Sequence, residues 1–68
     1  MTELELEIRT MIETIGQHSE DDDYNYTLDL LVEYDRQDLI PILDDTNNSL
    51  IDSLFDILEV LISEQESY

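Results

Sequence analysis

From residue 50 to residue 62 the chain places Leu50, Ile51, Leu54, Phe55, Ile57, Leu58, Val60, Leu61 and Ile62 on most sides of a single helix. Asp52, Asp56, Glu59 and Ser63 leave only a narrow polar stripe, with Ser53 at its edge. A helix this apolar must be surrounded. In 68 residues the other segments are short, so either a tight bundle closes around it or it also packs against a second copy or a partner. The fold class that follows is all-α: a small bundle of three to four helices around an apolar C-terminal helix, forming one domain over residues 1–68.

The first segment admits two periods. Leu4, Leu6 and Ile8 alternate with Glu3, Glu5 and Glu7 as in a strand. Leu4, Ile8, Met11, Ile12 and Ile15 lie on one helical face and account for more residues, which predicts a helix over 3–15. Thr2 followed by Glu5 matches a capping box, in which hydroxyl and carboxylate satisfy each other's orphan backbone donors. Gly16 supplies the left-handed stop that commonly follows a helix.

Ser19 is the natural N-cap of a second helix, whose first-turn acids suit the helix dipole. Tyr24, Leu28, Leu31 and Val32 give it an apolar face, widened by Leu30 and Tyr34, and its end is expected near Arg36 to Gln37. Asp38 is the expected cap of a short helix over 39–43, with Pro41 in its first turn, where a missing N–H costs nothing. Asp44-Asp45-Thr46-Asn47-Asn48 is a polar turn, and an Asn48 cap would start the last helix at Ser49. Glu64 to Tyr68 is expected to fray.

Charge separates the functional classes. The chain has 19 Asp and Glu against 2 Lys and Arg, a net charge of −17. Such a balance favours disorder, but 11 Leu, 8 Ile, 2 Val and a Phe recur at helical spacing and argue for a fold. Direct binding of nucleic acid or an anionic membrane needs clustered cations that are absent. With no Cys there are no disulfides, thiolate metal sites or cysteine nucleophiles. No secretory signal or membrane span is visible, so a cytoplasmic protein is expected; Asn25-Tyr26-Thr27 and Asn47-Asn48-Ser49 are chance glycosylation patterns.

Catalysis finds little support. His18 is the only imidazole and sits in a polar loop without a nucleophile partner, and Gly16 is the only glycine, so no phosphate cradle exists. Exposed helical acids lack the burial that raises a general acid's pKa. No enzyme and no cofactor are expected. Asp21, Asp23, Asn25, Thr27 and Asp29 alternate like the ligands of an EF-hand loop. Tyr26 stands where that loop needs glycine, and Val32 where it needs a bidentate Glu, so no metal site is expected.

A net charge of about 2–8 in magnitude suffices to keep a small domain soluble, and self-repulsion destabilises the compact state. The imbalance therefore asks for a function. A chain this long has an expected radius of gyration of ~11 Å, a globule about 28 Å across. A duplex of that length carries roughly 16 charges, against 17 here. Asp52, Asp56 and Glu59 would rise along the last helix by about 6 and 4.5 Å, of the order of phosphate spacings. Asp44, Asp45 and Glu20, Asp21, Asp22 and Asp23 would extend that row from adjoining segments.

In size, acidity and helical content the chain resembles the DNA-mimicking inhibitors encoded by phages and mobile elements, and Glu66-Ser67 is similar to the Glu-Ser pair of one glycosylase-inhibitor family. The resemblance implies a protein that occupies the DNA-binding groove of a host restriction enzyme, uracil-DNA glycosylase, CRISPR effector or nucleoid protein in the host cytoplasm. Carboxylates would stand in for phosphates, and exposed apolar residues such as Leu39, Ile40 or Phe55 would add affinity. Two other readings stay open: an immunity- or antitoxin-type neutraliser of a basic toxin or nuclease, and a regulatory homodimer built on the last helix.

Overall fold

The computed structural model describes residues 2–45 and 47–66. Thr46, inside the expected polar turn, and Ser67 and Tyr68, in the expected frayed end, lie outside them. Four α-helices follow one another: α1 (Glu3–Thr14), α2 (Glu20–Glu33), α3 (Ile40–Leu43), entered through a 3₁₀ turn at Gln37–Leu39, and α4 (Leu50–Glu66). The described residues contain no strand, and the all-α expectation holds.

Local chemistry explains most helix ends. The Glu5 N–H donates to Thr2 Oγ1 at 3.2 Å, so half of the capping box forms. The other half does not: the Glu5 carboxylate turns inward, accepts from Arg9 Nε at 3.2 Å and also accepts from Gln65 Nε2. α1 stops one residue earlier than the periodicity predicts. Ile15 is extended, Gly16 has φ +91°, and the Gln17 N–H returns to the Thr14 carbonyl at 3.1 Å, a type II turn that needs a residue at positive φ. Ser19 caps α2, its Oγ accepting from the Asp22 N–H at 3.1 Å.

The other termini depart from expectation. α2 ends at Glu33, three residues before Arg36. The Arg36 N–H reaches the Leu31 carbonyl at 2.7 Å and the Asp35 N–H reaches Val32 at 3.1 Å, the two bonds of a Schellman motif. Asp35 takes the left-handed position at φ +57°, which glycine ordinarily fills. Asp38 caps nothing, because its carboxylate is held by Arg36. Ser49, not Asn48, caps α4: its Oγ accepts from the Asp52 N–H at 3.4 Å and its carbonyl takes the first helical bond from Ser53 at 3.0 Å. Glu64 to Glu66 are helical, since Arg36 and Glu5 hold Glu64 and Gln65 in place.

α1 packs most extensively on α4, and the 3₁₀ turn and α3 close the other side. Leu4, Ile8 and Met11 of α1 meet Leu30 and Leu31 of α2, Leu39 and Leu43, and Leu50, Leu54, Ile57 and Leu61 of α4 in one core. One chain thus encloses the inner side of the apolar helix by itself. The inward face of α2 is rotated from the expected one: Asp23, Thr27, Leu30 and Leu31 are buried, while Val32 is 50 % exposed. Thr27 fits inside because its hydroxyl donates back to the Asp23 carbonyl at 2.8 Å.

The radius of gyration is 11.3 Å, but the particle measures 37 × 21 × 20 Å and is a short rod, not the 28 Å globule anticipated.

Candidate functional site

Burial sorts the carboxylates. Sixteen of the nineteen are exposed, Glu7 is half-buried, and only Glu5 and Asp23 are inside. Both arginines are spent within the chain. Arg9 pairs with Glu5. Arg36 bonds both oxygens of Glu64 at 2.7 Å and both of Asp38 at 3.1 Å. These bonds, to Glu64 first and Asp38 second, raise the Arg36 pKa and hold the Asp38 and Glu64 carboxyls below the usual range. Most of the outer carboxylates are left without an internal cation.

Several of them meet in one band. Glu20 and Asp21, in the first turn of α2, share a shallow depression with Asp44, Asp45 and Asn48. Tyr24 joins the two sides by donating its phenol to Asp44 Oδ1, and that bond raises the phenol's pKa. Beyond it, Asp45, Asp56, Glu59 and Glu64 rim an open groove floored by Ile42 and Val60. Asn48 stitches the two depressions together, its Nδ2 lying 3.3 Å from Asp45 Oδ2 and 3.4 Å from Asp56 Oδ2. The band therefore crosses the start of α2, the α3–α4 turn and the middle of α4.

Of the residues singled out from sequence, Glu20, Asp21, Asp44, Asp45, Asp56 and Glu59 come together here. Asp52 is exposed on α4 but lines neither depression. Asp22 faces the opposite side, towards α1. Asp23 leaves the outer row altogether, being 4 % exposed. It points inward because α2 presents positions 23, 27, 30 and 31 to the core, so a run of four acids is split by the helical turn. Among the apolar residues proposed to flank the acids, Leu39 is buried at 2 % exposure and Ile40 is half-buried. Phe55 is 50 % exposed, one turn from Asp52 and Glu59 on the outer face of α4.

Sequence reasoning missed a second acidic face. Tyr26 donates to Glu7 Oε2 at 2.8 Å and Tyr34 to Glu3 Oε2 at 3.3 Å, so one phenol of α2 and one just past its end lie against two glutamates of α1. Glu33 lies near enough to act on both phenols electrostatically. The bond to Glu7 raises the Tyr26 pKa; burial first, then Glu3, raises that of Tyr34. Glu3 and Glu7 are one helical turn apart, but nothing in a single sequence pairs them with tyrosines 19 and 31 residues away.

Among the described residues, no group of three or more His, Asp or Glu side chains is arranged to hold a metal ion, and no helix is long and apolar enough to cross a membrane. No protein-family model matches the chain, and neither does any curated protein or solved structure.

Proposed function

We propose that the protein is an inhibitor that occupies the DNA-binding groove of a basic host protein, with carboxylates in the positions phosphates would take. One observation carries the reading: a continuous acidic band crosses three segments while both arginines are engaged inside the fold. The shape agrees with it. Over 37 Å the chain presents a net charge of −17, where a duplex of that length carries about 22 charges.

Electrostatic complementarity of this kind speeds encounter and fixes orientation more than it adds affinity. Phe55, exposed among Asp52, Asp56 and Glu59, supplies an apolar anchor of the kind that dominates binding energy at interface centres. The proposed target is of host origin and the protein phage- or element-encoded; its action requires no chemistry of its own.

The test is capture from a bacterial lysate on the immobilised protein, followed by elution with salt and then with duplex DNA. A DNA-binding partner released by the duplex is the expected result. The variant Asp45→Asn/Asp56→Asn/Glu59→Gln should lose that partner, by several kcal/mol where the charges pair closely with target cations. A partner that resists both eluents and binds the variant equally would overturn mimicry and favour a neutraliser that acts through Phe55.

A further inference from the structure

On the side away from the acidic band, α1 and α2 part to form a half-open cavity of about 340 Å³. Glu7, Thr10 and Met11 line it from α1, and Asp22, Asp23 and Tyr26 from α2. Three carboxylates, the hydroxyls of Thr10 and Thr14 and a phenol ring line it, and no lysine or arginine does. His18 stands at the rim with its side chain 60 % exposed.

Asp23 makes this more than an acidic surface. It is 4 % exposed, its Oδ2 has no hydrogen-bond partner, and its Oδ1 has only the His18 Nδ1 at 3.7 Å. A buried carboxylate without donors is costly, and natural folds retain one chiefly where something else supplies the donors. Nothing in the described part of the chain does so. Asp23 Oδ2 is closed to solvent, so a local opening must precede any donor's reaching it, and the exposed His18 ring, 3.7 Å from Oδ1, stands beside it. That ring makes no hydrogen bond among the described residues.

We propose that this cavity seats a guanidinium: an arginine side chain of the basic partner, held by Asp23 and Asp22 and stacked on Tyr26. This deepens the inhibitor reading and rests on it for the identity of the partner. The chemistry selects arginine over lysine. A planar fork of five donors can bond more than one carboxylate at once, whereas an ammonium is a point donor. Tyr26 is 48 % exposed and already fixed by its bond to Glu7, so its ring offers a preset face for cation–π contact. The volume lies within the range of cavities that enclose small ligands.

The experiment uses the whole chain, ¹⁵N-labelled, and N-acetyl-arginine N-methylamide as probe, with the lysine analogue alongside. The expected result is a saturable shift of the amides around Asp22, Asp23 and Tyr26, with the lysine analogue weaker. Asp23→Asn should weaken the probe at least about tenfold, as loss of a charged hydrogen bond does. Tyr26→Ala should weaken it severalfold and provides the test if Asp23→Asn does not fold, while Glu13→Gln should leave it unchanged. Non-saturating shifts spread over every acidic residue, or equal binding by folded Asp23→Asn and Tyr26→Ala, would overturn the site. The probe needs no partner, so binding without duplex competition would sink the inhibitor reading alone, and duplex competition without probe binding would sink the cavity alone.

Discussion

Arg36 and Glu64 are 28 residues apart, and both oxygens of the glutamate accept from the Arg36 guanidinium at 2.7 Å. The same guanidinium holds Asp38, so one side chain ties the 3₁₀ turn to the end of α4. Depressed folded-state carboxyl pKa values mean that this contribution to stability is present above the unfolded values, about 4, and is lost as pH falls through the lower folded ones. Thermal melts of wild type and Arg36→Gln should therefore differ most at neutral pH and converge below about pH 4. A constant difference down to strong acid would show that the pairs contribute nothing through their ionisation.

The tyrosines set the opposite limb. Tyr24, Tyr26 and Tyr34 all have raised phenol pKa values, so the stability they add is full below about pH 10 and disappears as pH climbs through the folded values. Tyrosinate absorbance should appear late and together with loss of helical circular dichroism. Tyr24→Phe/Tyr26→Phe/Tyr34→Phe should remain helical at higher pH than wild type.

Asp35 is the one non-glycine residue at positive φ among those described, and it sits just past a helix C-terminus where the dipole disfavours its charge. Asp35→Gly should stabilise the fold by about 1 kcal/mol. Gly16→Ala should destabilise by a similar amount: space is open around the site, but φ +91° strains any Cβ. Denaturant melts decide both.

Repulsion among outer carboxylates should make stability rise with salt. Going from 0.01 to 0.15 M shortens the screening length from about 30 to about 8 Å. A gain of about 1 kcal/mol would move Tm by about 4–8 °C in a domain this small. A flat salt response would mean the exposed charges repel one another too weakly to matter.

Leu54 and Phe55 are neighbours with opposite fates, one 0 % and the other 50 % exposed. Leu54→Ala should cost about 2–5 kcal/mol, much of the roughly 3–10 kcal/mol available to a chain of this length. Phe55→Ala should stay within about 0.5 kcal/mol of wild type. Calorimetry on the pair would show whether α4 is oriented as described.

What could be read from sequence was what residues three or four apart decide. The Thr2 and Ser19 caps, the stop at Gly16 and the apolar register of α4 are local in this sense. The face of α2 is not, because the rotation that buries Asp23 and Thr27 and exposes Val32 depends on how α2 meets the rest of the bundle. Nor was the αL residue legible, since Asp35 carries no glycine signal. Of the candidate surface, sequence supplied the acids, whereas their union across Asn48 and Tyr24 depends on contacts between distant segments. The Asp23 cavity was hidden because four consecutive acids look alike until a helix turns one of them inward.

α1 rests chiefly on α4, and Gln65 reaches back to Glu5 across 60 residues. During synthesis, then, Leu4, Ile8 and Met11 emerge from the ribosome long before the surface that will cover them exists. The bundle cannot close progressively behind the growing chain. It must assemble after α4 has cleared the exit tunnel, and until then the dense negative charge of the nascent segment opposes association of its exposed apolar side chains with those of its neighbours.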